Sequence, residues 1–164
     1  VRHAQSLPLG AVRLRRHCLE RHDPPTPAEI REAEEWIEQF LNENPPPAPA
    51  DSDVRGLGMA GTITALSKMS AHDDSAATPD LLTHAQIERL MAAIAPLSAA
   101  AIAARWPIEP DRAEVILAGA LILRALLRRL GLDRLTVIET GGVAAGLLEE
   151  FLAERAASAP SQNH

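Results

Sequence analysis

A stretch of nine residues without a charged side chain, from Val115 to Leu123, constrains the fold of this chain more than any other feature. It lies inside a predicted helix that has Pro110 in its first turn and Gly131 just after its end. Because the stretch is apolar on every side, the rest of the chain must cover the helix on most sides. It falls well short of the roughly 20 residues that cross a bilayer, so we expect no membrane span.

The composition limits what can cover that helix and what the chain can bind. The chain has 164 residues, of which 46% are hydrophobic and only 2% aromatic, so we expect one domain with an aliphatic core. Scarce aromatic residues disfavour a reader of single-stranded nucleic acid, and a net charge of −6 disfavours a duplex-binding surface. Cys18 has no second cysteine to pair with, which favours a reducing compartment, and we expect the cytoplasm.

Two capping boxes predict further helices. One begins at Thr26 with Glu29 three residues later, and the other begins at Thr83 with Gln86. Apolar residues follow each start at helical spacing: Ile30, Ala33, Ile37 and Phe40 or Leu41 in the first, and Ile87, Leu90, Met91 and Ile94 in the second. A short alanine-rich helix is expected around residues 98–104.

Two segments predict a strand, a turn and a helix in succession. Residues 54–57 form the first strand and lead into a glycine-bearing turn over residues 58–64. Residues 135–138 form the second, followed by a turn at Gly141 and Gly142 and a helix from Val143. These units predict an α/β layer architecture, and such sheets bind ligands at the carboxyl ends of their strands.

Two other segments carry weaker signals. Residues 1–18 predict two short strands around a break at residues 7–10. The polar residues 71–80 predict a surface loop. The first residue is not a methionine, and the sequence looks like a chain that begins in mid-protein.

The turn after the first strand is the strongest candidate for a ligand site. Gly58 and Gly61 would let the backbone approach an anion, and the following helix start offers unpaired amides. Thr62 and Thr64 would add hydroxyl donors. Plain turn geometry with a threonine cap explains the same residues, and Gly142 in the second turn allows the same two interpretations.

Charged residues elsewhere give no clear site. Arg112 either faces a phosphate or pairs with Glu109 or Glu114, and its spacing from them favours the ion pair. The groups at 17–23 and 72–74 lack the spacing of metal ligands and are interpreted as surface residues. No catalytic and no metal-binding residue is predicted.

Several segments, in this order, resemble the exopolyphosphatase and guanosine-pentaphosphate phosphatase family (Ppx/GppA) of the actin-like superfamily: Ser6–Leu14, Asp23–Thr26, Gly58–Leu66, Pro110–Ala120 and Gly142–Leu148. The match at Pro110–Ala120 is the most specific. The resemblance implies a partial actin-like, ribonuclease H-like α/β domain over residues 1–155, with a short mixed sheet flanked by helices. Residues 156–164 are expected to be a disordered tail.

The family implies a Mg²⁺-dependent enzyme in which activated water releases the terminal phosphate of polyphosphate or guanosine pentaphosphate. Its carboxylate base and the loop that opens its second domain precede the first matched segment, so we expect the base and most Mg²⁺ ligands outside this chain. Six residues are carried over as phosphate-binding: Gly58, Gly61, Thr62, Thr64, Arg112 and Gly142. Such an incomplete part should be poorly stable alone or borrow a strand from a partner, and a homodimer is one possible arrangement.

Departures from the family pattern leave other interpretations open. Ala60 stands where the family usually has a glycine, residues 15–16 are arginines instead of threonine and glutamate, and Ala144 replaces an arginine. These substitutions favour a non-catalytic regulator of the same fold that binds phosphate or a nucleotide. The arginine-rich segment 124–129 suggests a third alternative, a mostly helical interaction module.

Overall fold

The structure, a computed structural model, describes residues 5–47, 56–59 and 61–138. Within these ranges the elements are α1 (Ala11–Leu14), a π-helical turn (Arg15–Leu19), α2 (Pro27–Glu43), β1 (Gly56–Met59), α3 (Gly61–Asp73), β2 (Leu81–Thr83), α4 (His84–Ile94), α5 (Ala99–Arg105), α6 (Pro110–Leu130) and β3 (Arg134–Ile138). The second predicted turn at Gly141 and Gly142, the helix after it and the 156–164 tail lie outside the described residues.

Helix α6 is the centre of the molecule. It contacts α1, α2, α3, α4 and α5, and most of its residues between Ala113 and Leu127 are buried. Gly131 ends it with a φ of 64°, a left-handed conformation that glycine adopts without steric cost. The predicted bounds of this helix and its enclosure are confirmed, and no described helix is long and apolar enough to span a membrane.

The capping boxes also form as predicted. The Thr26 N–H donates to Glu29 Oε2 at 2.8 Å and the Glu29 N–H to Thr26 Oγ1 at 3.3 Å, while the Thr83 N–H donates to Gln86 Oε1 at 2.7 Å. The residues that become buried behind them are mostly those of the predicted stripes: Ala33, Ile37 and Leu41 on α2, and Ile87, Leu90, Met91 and Ile94 on α4.

The three described strands form one mixed sheet in the order β1-β3-β2. β1 runs parallel to β3, with Gly58 opposite Val137, and β2 runs antiparallel to β3, with Leu82 opposite Leu135. Helices α3 and α4 pack beside these strands. The predicted class, an α/β fold with a short mixed sheet flanked by helices, is confirmed.

The predicted surface loop over residues 71–80 is confirmed for residues 74–80, whereas residues 71–73 belong to α3. Strand β2, which was not predicted, follows the loop. Helix α3 continues to Asp73, and β2 begins at Leu81, just after the predicted loop. A strand of three residues carries too little alternation to be recognised locally, because its pairing with β3 is what defines it.

The prediction of two strands in residues 1–18 is wrong where the structure describes them. Residues 11–19 are helical, and Leu14, Cys18 and Leu19 are buried, with α1 and the π-helical turn both contacting α6. Val12 is 53% exposed. The apolar residues therefore follow a helical period that the short alternation of Val12 and Leu14 concealed.

Candidate functional site

A cavity of about 290 Å³ lies where the first turn of α3 meets α6. Three of the six predicted phosphate-binding residues line it, namely Gly61, Thr62 and Arg112. Most of the other lining residues are apolar, and none of those that the structure describes is acidic. The structure thus gathers residues 50 positions apart in the sequence around one space without a competing negative charge.

The Arg112 guanidinium rests against the backbone of Gly61. A Cβ atom at position 61 would lie 2.5 Å from Arg112 Nη2, which is closer than real Cβ contacts. The hydrogen of a glycine therefore lets the guanidinium approach the start of α3. Any larger residue at position 61 would displace it.

The Arg112 backbone N–H donates to the Glu109 carbonyl oxygen at 2.9 Å. Its side chain makes no hydrogen bond or ion pair with the described part of the chain, and the preference for an ion pair with Glu109 or Glu114 is wrong there. Glu114 instead lies 3.4 Å from Arg15, which also binds Glu20 at 3.2 Å. The Glu114 carboxylate is thus directed to a different element. The Arg112 charge stays available at an exposed position.

Thr62 is held against α6 by a second glycine contact. A Cβ at Gly119 would lie 2.3 Å from Thr62 Cγ2. The Thr62 side chain, in the first turn of α3, therefore packs directly against the α6 backbone at Gly119. Sequence reasoning missed Gly119. Its signal was a glycine inside a helix, which costs about 1 kcal/mol relative to alanine and usually marks a close approach.

The start of α3 adds a second source of positive potential. The first amides of a helix have no partner within the helix, and its dipole is positive at that end. Gly61 and Thr62 supply the first residues of this 13-residue helix, directly beside the Arg112 guanidinium. The combination suits an anion such as phosphate. Among the lining residues that the structure describes, no carboxylate or histidine is present to activate water.

Two of the other predicted phosphate-binding residues, Gly58 and Thr64, do not line this cavity. Gly58 lies inside β1 and is buried. Leu135 and Ile63 pack against it so closely that a Cβ there would lie 2.6 Å from Leu135 Cδ1 and 2.9 Å from Ile63 Cγ2. The described strand extends to Met59, two residues beyond the predicted end at residue 57, and Gly58 therefore lies in the strand and not in the turn. Thr64 is half-buried on α3, and Gly142 lies outside the described residues.

The described residues do not supply a ligand set for Mg²⁺. No group of three or more His, Cys, Asp or Glu side chains in those ranges is arranged to hold a metal ion. Two aspartates in the segments interpreted as plain surface have internal partners: Asp23 accepts from the Ala99 N–H at 2.9 Å, and Asp73 from Trp106 Nε1 at 3.0 Å. These hydrogen bonds within the fold explain where both aspartates lie.

Solved structures share this architecture. The crystal structure of the Aquifex aeolicus member of the Ppx/GppA family superposes with a TM-score of 0.76 at 30% identity, covering 94% of this chain and 50% of that one. An exopolyphosphatase from Cytophaga hutchinsonii gives a TM-score of 0.72 at 18% identity and covers 92% and 49%, a likeness of fold alone. The fold is therefore the α/β arrangement found in about half of a Ppx/GppA phosphatase chain.

The sequence comparison makes the assignment. The sequence model of the Ppx/GppA phosphatase family matches residues 1–154, and this chain belongs to that family. It is 32% identical over 142 residues to Exopolyphosphatase 2 of Mycobacterium tuberculosis (strain CDC 1551 / Oshkosh), covering 82% of this chain and 44% of the relative. It is 30% identical over 138 residues to Exopolyphosphatase 1 of Mycobacterium bovis (strain ATCC BAA-935 / AF2122/97), covering 82% and 40%. The chain spans less than half the length of these curated relatives.

Proposed function

We propose that this chain is the part of a polyphosphate phosphatase that holds the phosphate chain. The observation that carries the proposal is the unpaired Arg112 guanidinium beside Gly61 at the start of α3. The names of the curated relatives supply the substrate class, since they are exopolyphosphatases. The Gly61 and Thr62 amides and Arg112 would bind oxygens of one phosphate.

Electrostatics supports binding at this position. An anion near a helix start gains about 0.3–1 kcal/mol from the dipole and unpaired amides. A charge-assisted hydrogen bond from an arginine adds about 1.5–3 kcal/mol. No described acidic side chain lines the cavity, so these contributions are not offset locally.

The chemical step requires groups that the described lining of this cavity lacks. A carboxylate that positions water, and Mg²⁺ with its ligands, would come from residues outside the described ranges, as the family resemblance implies. In this proposal Arg112 and the start of α3 hold the phosphate that is to be released and stabilise the negative charge that develops on its oxygens.

The test is phosphate release from polyphosphate with Mg²⁺ by this chain joined to the preceding part of Exopolyphosphatase 2 of M. tuberculosis. We expect Arg112→Ala to lower kcat/KM by about 10- to 100-fold, the equivalent of one charge-assisted hydrogen bond. Arg128→Ala is the matched control, because Arg128 is exposed on the same helix and has no ion-pair partner among the described residues. Equal activity of the two variants would refute the assignment of Arg112.

The same assay separates the enzyme from the regulator of the same fold. Binding of polyphosphate by the joined protein, weakened by Arg112→Ala, without any phosphate release would favour the non-catalytic regulator. Release from guanosine pentaphosphate but not from polyphosphate would replace the substrate and leave the site in place.

A further inference from the structure

The cavity at Arg112 has more space than one phosphate fills. Its volume is about 290 Å³. For comparison, an engineered apolar cavity of about 150 Å³ in another protein is large enough to bind benzene. A phosphate bound at Arg112 and the start of α3 therefore leaves room for a second chemical group.

The wall around that remaining room is apolar. Seven of the eleven described lining residues have apolar side chains, among them Ile122 and Leu126 on α6, Ile63 on α3 and Met59 on β1. Ile122 and Leu126 follow Arg112 by 10 and 14 residues on the same helix, about 15–21 Å along its axis. The positive charge thus lies toward one end of the cavity and the apolar wall toward the other.

The described part of the chain leaves much of this wall accessible. Met59 is 48% exposed, and Ile63 and Leu126 are half-buried. Apolar surface gains free energy when a ligand removes it from water, roughly in proportion to its area. A polyphosphate chain carries charge on every unit and gains nothing from such side chains. The apolar wall therefore suits a ligand whose phosphate carries an apolar group.

We propose that this cavity binds phosphate monoesters of small aliphatic groups, with the phosphate at Arg112 and the start of α3 and the alkyl group along Ile122 and Leu126 toward Met59. The position of the phosphate rests on the proposed function, and the inference adds a second class of ligand to that site. Such an ester occupies the place of the terminal phosphate and competes with polyphosphate for the cavity.

The experiment is calorimetric titration of the full chain with methyl, propyl and pentyl phosphate, which share one phosphate group and differ only in apolar surface. We expect the affinity to rise about two- to threefold for each added methylene, below the roughly fourfold of complete burial, because the wall at Met59 is partly open. Equal affinity for all three esters would overturn the inference.

Two variants of β1 form a matched pair for the apolar wall. Met59→Gln keeps the length of the side chain but places a polar amide at the cavity, and it should lower the preference for pentyl over methyl phosphate about threefold. Leu57→Gln changes a 66% exposed residue of the same strand that does not line the cavity, and the preference should stay as it is. The same preference in both variants would contradict the proposed position of the alkyl group.

Arg112→Ala separates a failure of the inference from a failure of the proposed function. It should weaken binding of all three esters about tenfold and leave the gain per methylene unchanged. If this variant weakens every ester but affinity does not rise with alkyl length, the inference fails and the proposed function stands. If it leaves methyl phosphate binding unchanged, the phosphate does not lie at Arg112, and both fail.

Two further arms test the chemistry and the accessibility of the apolar space. Pentylammonium has the same alkyl group with the opposite charge and should bind at least about tenfold more weakly than pentyl phosphate. Equal binding would overturn the inference, because the cavity would then take any alkyl group. The gain per methylene should persist, without Mg²⁺, in the chain joined to the preceding part of Exopolyphosphatase 2 of M. tuberculosis. Its loss there would also overturn the inference, since the preceding part would then fill the apolar space.

Discussion

The two ends of α6 use arginine in opposite ways. Near its start, Arg112 is exposed beside a cavity and has no carboxylate partner in the described part of the chain. Near its end, Arg124 is 15% exposed and lies 2.5 Å from Glu34 and 3.6 Å from Glu88. The difference teaches that the carboxylates brought by other helices, and not the arginine's own helix, decide which charge serves the fold and which stays free for a ligand.

The paired end of α6 should show the largest effect on folding. Arg124→Ala removes a cation that links α2 and α4 to α6, and we expect it to lower the free energy of unfolding by about 1–3 kcal/mol. The estimate is below that for a fully buried pair because the carboxylates of Glu34 and Glu88 are 35% and 44% exposed. Urea denaturation measures it. Arg112→Ala is the matched comparison, and a loss as large as that of Arg124→Ala would erase the distinction between the two ends.

The middle of α6 offers the second test, at Gly119. Gly119→Ala places a Cβ 2.3 Å from Thr62 Cγ2, and the short, branched threonine side chain has little room to turn away. Overpacking costs about 1–3 kcal/mol, of which the better helix propensity of alanine returns about 1 kcal/mol, so we expect a net loss of up to about 2 kcal/mol. Gly10→Ala is the control, since a Cβ there has no atom within 4 Å. Equal unfolding midpoints for the two variants would contradict the close contact.

Gly61→Ala tests the role of the unpaired Arg112, near the start of α6, without replacing that arginine. The new Cβ would lie 2.5 Å from Arg112 Nη2, but this long exposed side chain can swing away, so the free energy of unfolding should change by less than about 0.5 kcal/mol. Displacement of the guanidinium from the start of α3 should nevertheless weaken tripolyphosphate binding several-fold, by less than Arg112→Ala does. Calorimetric titration at one salt concentration measures the affinity of each variant for tripolyphosphate. Unchanged binding would show that the glycine serves the turn alone.

The sequence predicted the elements whose signals are local. Helices α2, α4 and α6 follow from caps and from an apolar period that lie within each segment, and β3 from a run of β-branched and leucine residues. β2 was missed and residues 11–19 were assigned to strands because their structure depends on contacts with β3 and α6. The three-stranded sheet weighs against the alternative of a mostly helical interaction module.

The candidate site likewise contains some residues that a local sequence pattern predicts and others that only tertiary packing explains. Gly61 and Thr62 follow a strand and precede a helix, which is a pattern visible in a few residues. That Arg112 is free and Gly119 is close could not be predicted, because Glu114 is engaged by Arg15 and the approach of α3 to α6 depends on tertiary packing. The arginine-rich segment 124–129 is the opposite case. Its sequence suggests free positive charge, but two of its arginines have partners on α2.

The contrast between engaged and free charges extends to Glu29, where the expected effect depends on pH. The N–H and hydroxyl of Thr26, with a contribution from His22, lower the pKa of the buried Glu29 carboxyl from 4.5 to about 2. A pKa lowered by folding means that the stabilisation is fully present above about pH 4.5 and is lost as the pH falls from there to about 2. Glu29→Gln keeps the acceptor oxygen, as Gln86 does for Thr83, but removes the titration.

We therefore expect Glu29→Gln to melt at a lower temperature than the unaltered protein at pH 7, because the charge that binds the Thr26 N–H and His22 is gone. Its melting temperature should decline less steeply between pH 4.5 and 2. Melting followed by circular dichroism over this range measures the two slopes. The matched control is Glu38→Gln, an exposed residue of the same helix with no ion pair among the described residues, whose slope should follow that of the unaltered chain. Parallel curves for all three proteins would mean that the ionised Glu29 contributes nothing beyond what a neutral cap supplies, and that the bond to Thr26, not the charge, secures the start of α2.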